Sequence, residues 1–177
     1  FLDIFRGVNR VYRHAIADEP DRFVQELLYL TEPEKGLLGF SGMYFGAATT
    51  PNRPPRRWDC TGFFDAKFLY VSMWSPDADL YVYEHMRIAR GEETGSDYLA
   101  GFRVGQSDFI GRSAVAIVAL ERLEPDAYAG GTAQASELVK VSQFADKDVG
   151  EVPKNHEVHT ALKKLFLAKG KNQLVDA

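Results

Sequence analysis

Three arginines lie close together in a segment that also contains three prolines. Arg53, Arg56 and Arg57 fall within residues 50–57. Guanidinium groups bind carboxylates and phosphates through parallel N–H donors, and proline limits the freedom of the chain that carries them. We predict that these arginines recognise the negative group of a small ligand. The alternative is a solvated loop whose arginines pair with surface carboxylates.

Aromatic residues are concentrated directly after these arginines, between residues 58 and 83. Side chains in a strand alternate between its two faces, so some of these aromatics must pack in a core. The others would line a pocket or form an exposed contact surface. With the three arginines, the aromatic residues that we predict to bind a ligand are Trp58, Tyr70, Trp74, Tyr81 and Tyr83.

The histidines and the single cysteine offer weaker chemistry. His156 and His159 are three residues apart on a predicted helix, a spacing compatible with metal ligation, but the sequence places no third ligand beside them. His85 follows Glu84 in a predicted strand, where neighbours point to opposite faces. Cys60 has no base nearby in the sequence and is interpreted as a half-buried structural thiol. The sequence therefore predicts no catalytic residues, no metal and no cofactor.

The chain begins with two segments whose apolar residues recur at helical spacing. Residues 1–16 carry an apolar stripe opposite several arginines, and residues 21–31 carry another after Pro20. We expect these segments to form an N-terminal helical hairpin, within a helical lead-in over residues 1–35.

Strand patterns replace the helical spacing from Gly39 onward. Short turns separate the predicted strands, and such connections favour antiparallel neighbours. Residues 38–123 should therefore form an antiparallel β-meander, either an open sheet or a closed or partly closed barrel. Glycines at positions 42, 46, 62 and 101 suit strongly bent strands. The predicted strands cover residues 39–46, 61–74, 80–89, 98–105 and 113–122.

The last part of the chain, residues 124–177, is predicted to hold a connector, an edge strand at 135–144 and a basic helix at 155–168. From Lys154 onward, five lysines accompany two acidic residues. This helix would either dock an anionic partner or cap the sheet with its lysines outward. The predicted fold class is α+β, in a single domain over residues 1–177.

Composition sets the broad class of protein. The 177 residues are 45% hydrophobic and 26% charged, with a formal net charge of -4, values that exclude a fibrous or disordered chain. No apolar run is long enough to span a membrane as a helix, and no secretory signal is recognisable. With a single cysteine, the expected location is the cytoplasm. The acidic balance argues against nucleic acid as a partner.

The segment Gly39–Gly46, with the sequence GFSGMYFG, carries a family resemblance. A glycine- and aromatic-rich opening strand, a meander and a closing apolar strand with a late arginine, Arg112 or Arg122, resemble the lipocalin-like barrels. The layout is also similar to β-rich ligand-sensing domains of bacterial regulatory and effector proteins. Tyr44 stands where lipocalins usually have tryptophan. Over residues 38–123, the resemblance implies a non-catalytic pocket for a small ligand, with the effector function elsewhere on a longer chain.

Three functional hypotheses follow from these patterns. The first is a non-catalytic ligand-binding or sensory domain of a larger intracellular signalling protein, with a small anionic or amphipathic ligand. The second is a small hydrolase or lyase that uses a histidine and a carboxylate, such as Glu84, Asp97 or Asp108. The third is an oligomerisation or scaffold domain, for which an exposed aromatic sheet face would suffice.

Overall fold

The computed structural model describes residues 5–15, 21–31, 39–48, 54–65, 68–75, 83–89, 98–106, 113–128, 136–169 and 173–174. Eight consecutive strands of these residues form an antiparallel meander, and helices follow the last of them. The main strands are β1 (Gly7–His14), β2 (Phe23–Leu30), β3 (Gly39–Gly46), β4 (Arg56–Phe64), β5 (Phe68–Trp74), β6 (Tyr83–Ala89), β7 (Leu99–Gln106) and β8 (Ser113–Arg122). The remaining elements are α1 (Pro125–Tyr128), α2 (Glu137–Asp148), β9 (Gly150–Glu151), α3 (Glu157–Lys169) and β10 (Gln173–Leu174).

The meander closes into a barrel because β1 pairs with β8 as well as with β2. In that closing pair, Val11 lies opposite Leu120. Closure requires strands to coil tightly, and two glycines allow the close approach that this needs. A Cβ atom at Gly42 would lie 2.0 Å from the carbonyl oxygen of Tyr29, and one at Gly101 would lie 2.3 Å from that of Arg87. The sequence left the choice between open sheet and barrel undecided, and the structure shows the closed barrel.

The inner face of the barrel is mainly apolar. Alternate residues of each strand point inward, so that Val11 of β1, Leu28 of β2 and Leu120 of β8 meet in one core. The other buried members of this core are Phe5, Leu30, Phe40, Tyr44, Trp58, Cys60, Leu69, Val71, Met73, Met86, Ile88 and Val118.

The helices cover one side of the outer wall. Val141 and Ala145 of α2 pack on outward residues of β1 to β3, including Tyr29. Leu162 and Phe166 of α3 pack on outward residues of β1, β2 and β8. Consequently β1 and β2 are buried on both of their faces, by the barrel interior and by the helices. Among the described residues, no helix has the length and apolar character needed to cross a membrane.

The predicted N-terminal helical hairpin is wrong, because this part of the chain forms β1 and β2. A strand that is covered on both faces does not alternate between apolar and polar residues. In β1 the buried apolar residues are Val8, Val11 and Tyr12, which happen to match the three- and four-residue spacing of a helix. Val11 faces the interior, whereas Val8 and Tyr12 pack beneath the helices.

Two further predictions need correction, and one is confirmed. The edge strand predicted at 135–144 is instead the start of α2, whose first turn is capped when Val139 N donates to Ser136 Oγ at 3.3 Å. The long strand predicted at 61–74 is two strands, because Asp65 and Phe68 exchange backbone hydrogen bonds across a tight turn. The predicted C-terminal helix is confirmed as α3.

Candidate functional site

A single glutamate lies on the apolar inner face of β2. Strand alternation places Glu26 on the same face as Leu28 and Leu30, and its side chain is only 1% exposed. A buried carboxylate is strongly unfavourable unless cations and hydrogen-bond donors surround it. Glu26 has both, and they come from β1, β3 and β7.

Two arginines compensate the charge of this carboxylate. Arg13 Nε donates to Glu26 Oε2 at 2.9 Å, and Arg13 Nη2 donates to Oε1 at 2.8 Å, which is the bidentate geometry of a strong ion pair. Arg103 Nη1 donates to Oε2 at 3.1 Å from β7. The barrel therefore brings Arg103 of β7 to the Arg13–Glu26 pair, which joins the neighbouring strands β1 and β2.

Neutral donors complete the surroundings of the carboxylate. The Tyr44 hydroxyl donates to Glu26 Oε2, and the backbone N–H of Ala47 donates to Oε1 at 3.0 Å. Arg103 Nη1 also donates to the Tyr44 oxygen at 3.0 Å. We call Arg13, Glu26, Tyr44 and Arg103 the polar cluster. Its four side chains contain two cations and one anion.

The polar cluster determines the protonation of its members. Burial raises the pKa of Glu26, but the charges of Arg13 and Arg103 and the donated hydrogen bonds outweigh burial and lower it to about 2. Burial and the Glu26 carboxylate raise the pKa of Tyr44 well above its ordinary value. At neutral pH, Glu26 is therefore ionised and Tyr44 is a neutral donor.

The charged groups of the cluster lie at different depths. The side chain of Glu26 is 1% exposed, that of Arg103 is 12% exposed and that of Arg13 is 21% exposed. The carboxylate is therefore the most deeply buried of the three charged groups. Because two guanidinium groups accompany one carboxylate, the cluster carries a net positive charge.

An aromatic side chain lies at the same end of the barrel. Trp58 is paired with Tyr44 in the β3–β4 ladder, and its side chain is buried in the interior core. A Cβ atom placed on Gly46 would lie 3.6 Å from both Trp58 Nε1 and Glu26 Oε1. The indole and the carboxylate are therefore close to one another beside Gly46. This end of the barrel, which we call the polar end, combines the charges of the polar cluster with the buried indole of Trp58.

The opposite end of the barrel is apolar. Phe5 is buried there and packs against Phe64, with their ring centroids 5.7 Å apart. Asn9, fully buried on β1, holds Phe5 in place by donating to its carbonyl oxygen at 2.9 Å. The other amide atom, Asn9 Oδ1, has no hydrogen-bond partner among the described residues. We call this region the apolar end.

The residues predicted to bind a ligand do not share one face. Of the aromatics, Trp58 faces the barrel interior, whereas Tyr70 and Trp74 alternate with inward-facing Leu69, Val71 and Met73 and so lie on the outer wall.

The predicted arginines and tyrosines are divided in the same way. Arg56 and Arg57 are exposed at the start of β4, with Arg56 on the same strand face as Trp58 and Arg57 on the other. Arg53, Tyr81 and the side chain of Tyr83 lie outside the described residues.

The structure separates the histidines of the hydrolase or lyase hypothesis. His85 is exposed on the outer wall, where its Nδ1 lies 3.1 Å from Ser72 Oγ. His159 lies within α3 and is buried, with Nε2 2.8 Å from the Asp21 carbonyl oxygen. His156 is exposed before α3, and its Nδ1 accepts from Val158 N at 3.3 Å. Within the described residues, no group of three metal-ligating side chains is present.

Cys60 faces the barrel interior and is 2% exposed. Burial, with a smaller contribution from Asp59, raises the pKa of its thiol to about 12. The thiol is therefore protonated at neutral pH and is a poor nucleophile. The sequence predicted a half-buried thiol, and the structure buries it more deeply than that.

Arg13, Glu26 and Arg103 were not among the site residues predicted from the sequence. Tyr44 was noted only because it stands where lipocalins usually have tryptophan. One signal was present, since Glu26 is the sole charged residue in the apolar run Phe23–Leu30. Interpreted as a helix, that run placed the glutamate on a polar face. Interpreted as a strand, it places the glutamate on the same face as two leucines, which marks a buried charge.

Comparisons with known proteins identified no similar protein. No family model, no curated protein and no solved structure matches this chain.

Proposed function

We propose that the chain is a non-catalytic binding protein that takes an anionic amphipathic small molecule at the polar end of its barrel. The negative group of the ligand contacts Arg103 and Arg13, and its apolar part packs on Trp58. The observation that carries this proposal is the polar cluster itself, a set of buried charges on a mainly apolar inner face. Within this proposal, the family resemblance to lipocalin-like sensory barrels supplies a precedent for the architecture.

The energetic cost of the cluster supports a binding role. Buried ion pairs lose much of their Coulomb attraction to desolvation, and well-packed apolar residues in their place are often as stabilising or more so. Barrels of eight strands can be filled with apolar side chains alone. A cluster that combines Arg13, Glu26 and Arg103 is thus not needed for a stable interior, which favours a functional reason for it.

The charge balance of the polar cluster supports an anion as the ligand. The side chains of Arg103 and Arg13 are more exposed than that of Glu26, and two guanidinium charges accompany one carboxylate, so the cluster has a net positive charge. Guanidinium groups bind carboxylates and phosphates through similar geometry. The proposal therefore specifies a monoanionic or dianionic head group, and the experiment distinguishes carboxylate from phosphate.

Trp58 provides a direct measurement of binding. It is one of two tryptophans in the chain, and a Trp74→Phe background leaves it as the only indole emitter. Decanoate, decyl phosphate and decanol are then titrated while the emission of Trp58 and the melting temperature are recorded. We expect both anions to change the emission and to raise the melting temperature. Decanol, which has the same tail without charge, should do neither at matched concentration.

Two variants of the polar cluster should change the response to decanoate in opposite directions. Arg103→Met removes the cation that is less exposed and should reduce the response to decanoate by at least about tenfold in affinity, as expected for a lost charge-assisted contact. Glu26→Gln removes the resident anion, so the ligand's anion becomes the counter-charge and its stabilising effect should grow. A wild-type protein that responds equally to decanol and decanoate, or to neither anion, would refute the proposal.

A further inference from the structure

A third arginine lies on the inner face of the barrel, at the rim of the polar end. Arg56 is the first residue of β4 and is exposed, and strand alternation places it on the same face as Trp58. Backbone register pairs it with Gly46, the last residue of β3. Residues that lie opposite each other in an antiparallel ladder point to the same side of the sheet. The surroundings of Gly46 therefore show where the side chain of Arg56 begins.

Gly46 faces the polar cluster. A Cβ atom at this position would lie 3.6 Å from Glu26 Oε1 and 3.7 Å from Tyr44 Cε1. Opposite residues in such a ladder have Cα atoms only about 4.5 to 5.5 Å apart. Since glycine carries no side chain, nothing from position 46 stands between Arg56 and Glu26. The long side chain of Arg56 thus starts within one strand spacing of the polar cluster.

The next residue, Arg57, has the opposite orientation. It is also exposed, and it is paired with Phe45, which belongs to the apolar cluster that packs with α2 outside the barrel. The two neighbouring arginines therefore carry the same charge and differ in the face that they occupy. Only Arg56 is on the face of the polar cluster.

Three arginines consequently approach the polar end from different sides of the barrel. Arg13, Arg56 and Arg103 come from β1, β4 and β7, which are three, three and two steps apart in the closed order of eight strands. This spacing is nearly even around the barrel. On β1 to β8, the charged side chains that the structure describes on the inner face of this end are these three arginines and Glu26. Two positive charges remain when Glu26 is subtracted.

We propose that Arg56 completes the anion site, and that the three arginines select a phosphate monoester over a monoanionic head group. This assignment rests on the proposed function and specifies its class of ligand. A phosphate monoester carries a charge of about −1.5 to −2 at neutral pH, close to the two positive charges that remain. Its three terminal oxygens diverge from one phosphorus atom, as the guanidinium groups converge from three strands. A carboxylate offers one charge and two oxygens in a plane.

The same strand provides for both parts of an amphipathic phosphate. Arg56 and Trp58 are two residues apart on one face of β4, which corresponds to about 6.6 Å along the strand. Arg56 is exposed at the rim, whereas Trp58 is buried in the interior core. A head group at Arg56 therefore places the first part of the tail beside the indole.

Decyl phosphate and decyl sulfate test the charge selection, because they carry the same tail on tetrahedral head groups of different charge. Each is titrated below its micelle concentration at about pH 7.5, where the phosphate is mainly a dianion and the sulfate is a monoanion. The emission of Trp58 in the Trp74→Phe background measures binding. We expect decyl phosphate to bind at least about tenfold more tightly than decyl sulfate. Inorganic phosphate, which has no tail to contact Trp58, should bind at least about tenfold more weakly than decyl phosphate.

Arg56→Met and Arg57→Met remove the same charge from neighbouring positions on opposite faces. Arg56→Met should weaken the binding of decyl phosphate at least about tenfold and bring it close to that of decyl sulfate. Arg57→Met should change the preference for phosphate by no more than about twofold, since an exposed charge on the outer face is screened by solvent and salt. Circular dichroism and the melting temperature verify that both variants are folded.

Three results would overturn the assignment of Arg56. These are equal affinities of the wild type for decyl phosphate and decyl sulfate, equal effects of Arg56→Met and Arg57→Met on the preference, and binding of inorganic phosphate as tight as that of decyl phosphate. The proposed function survives each of them if decanoate still changes the emission of Trp58 and decanol does not. If no anion changes that emission, the proposed function fails and the assignment of Arg56 fails with it.

Discussion

The guanidinium of Arg13 reaches from β1 to β2 and donates to both carboxylate oxygens of Glu26, at 2.9 and 2.8 Å. Both side chains lie on the inner face of the barrel, which is mainly apolar. This ion pair couples the first two strands to the polar end. It also makes the stability of the barrel depend on the charge of one carboxylate.

Removal of the Glu26 charge should destabilise the barrel strongly. Glu26→Gln leaves Arg13 and Arg103 with no carboxylate in the cluster and turns an amide N–H₂ toward their donors. We expect the free energy of unfolding in urea to fall by about 3 kcal/mol or more. The matched control is Glu151→Gln, which breaks the exposed pair with Arg22 and should cost no more than about 1 kcal/mol. Equal losses in the two variants would contradict the buried ion-pair network.

The same carboxylate should make the protein sensitive to acid. The pKa of Glu26 is about 2 in the folded protein against an ordinary value of 4.5, so the unfolded state binds its proton first as pH falls. The stabilisation is complete above about pH 4.5 and is lost as pH decreases toward 2. A pKa difference of this size corresponds to roughly 3 kcal/mol. The measurement compares wild type and Glu26→Gln in urea at several pH values, and their stabilities should converge as pH falls through this window. Parallel curves would contradict it.

Much of the strand order was predictable from the sequence. The glycine-rich β3 and the apolar β8 matched their predicted bounds, because turn residues and apolar composition mark both strands clearly. The first two strands were not predictable by the same rules. They are covered on both faces, and no alternation remains to distinguish them from helices. The helices that cover their outer faces, α2 and α3, begin more than a hundred residues later in the chain.

The site was less predictable than the fold. Trp58 was predicted as a ligand-binding residue because a large aromatic in a strand near charged residues is conspicuous in the sequence, and the structure places it beside the polar cluster. Arg13 and Glu26 lie on the paired strands β1 and β2, and the fold brings Arg103 of β7 to them from far along the chain. The arginine cluster at 53–57 is conspicuous in the sequence, but its described members Arg56 and Arg57 are exposed. A local concentration of arginines in the sequence therefore pointed to exposed residues and not to the buried arginines of the polar cluster.

Two glycines on the same strand should differ sharply in their tolerance of alanine. A methyl group at position 42 would lie 2.0 Å from the backbone oxygen of Tyr29, whereas one at position 46 would have only ordinary contacts at 3.6 Å and beyond. Gly42→Ala should therefore lower the free energy of unfolding by about 3 kcal/mol. Gly46→Ala should change it by less than about 1 kcal/mol. Urea denaturation of both variants measures the difference, and equal effects would contradict the close approach of β2 and β3.

Cys60 should report whether the barrel interior opens. Burial raises the pKa of this thiol to about 12, and the side chain is 2% exposed. A disulfide reagent at pH 8 should therefore modify the folded protein at least about a hundredfold more slowly than the urea-unfolded protein. Because Cys60 is the sole cysteine, the reaction is a single process. Modification of the folded protein at the unfolded rate would show that the interior is not closed to solvent.

The central claim is that a ligand's negative group contacts the polar cluster. Carbon-13 NMR of decanoate labelled at its carboxyl carbon observes that group directly. With wild-type protein we predict a second, bound carboxylate resonance that remains ionised below the pH at which the free acid titrates, because Arg103 and Arg13 stabilise the anion. With Arg103→Met that resonance should disappear. A single resonance at the position of free decanoate with the wild type, or a bound resonance unchanged by Arg103→Met, would contradict the claim.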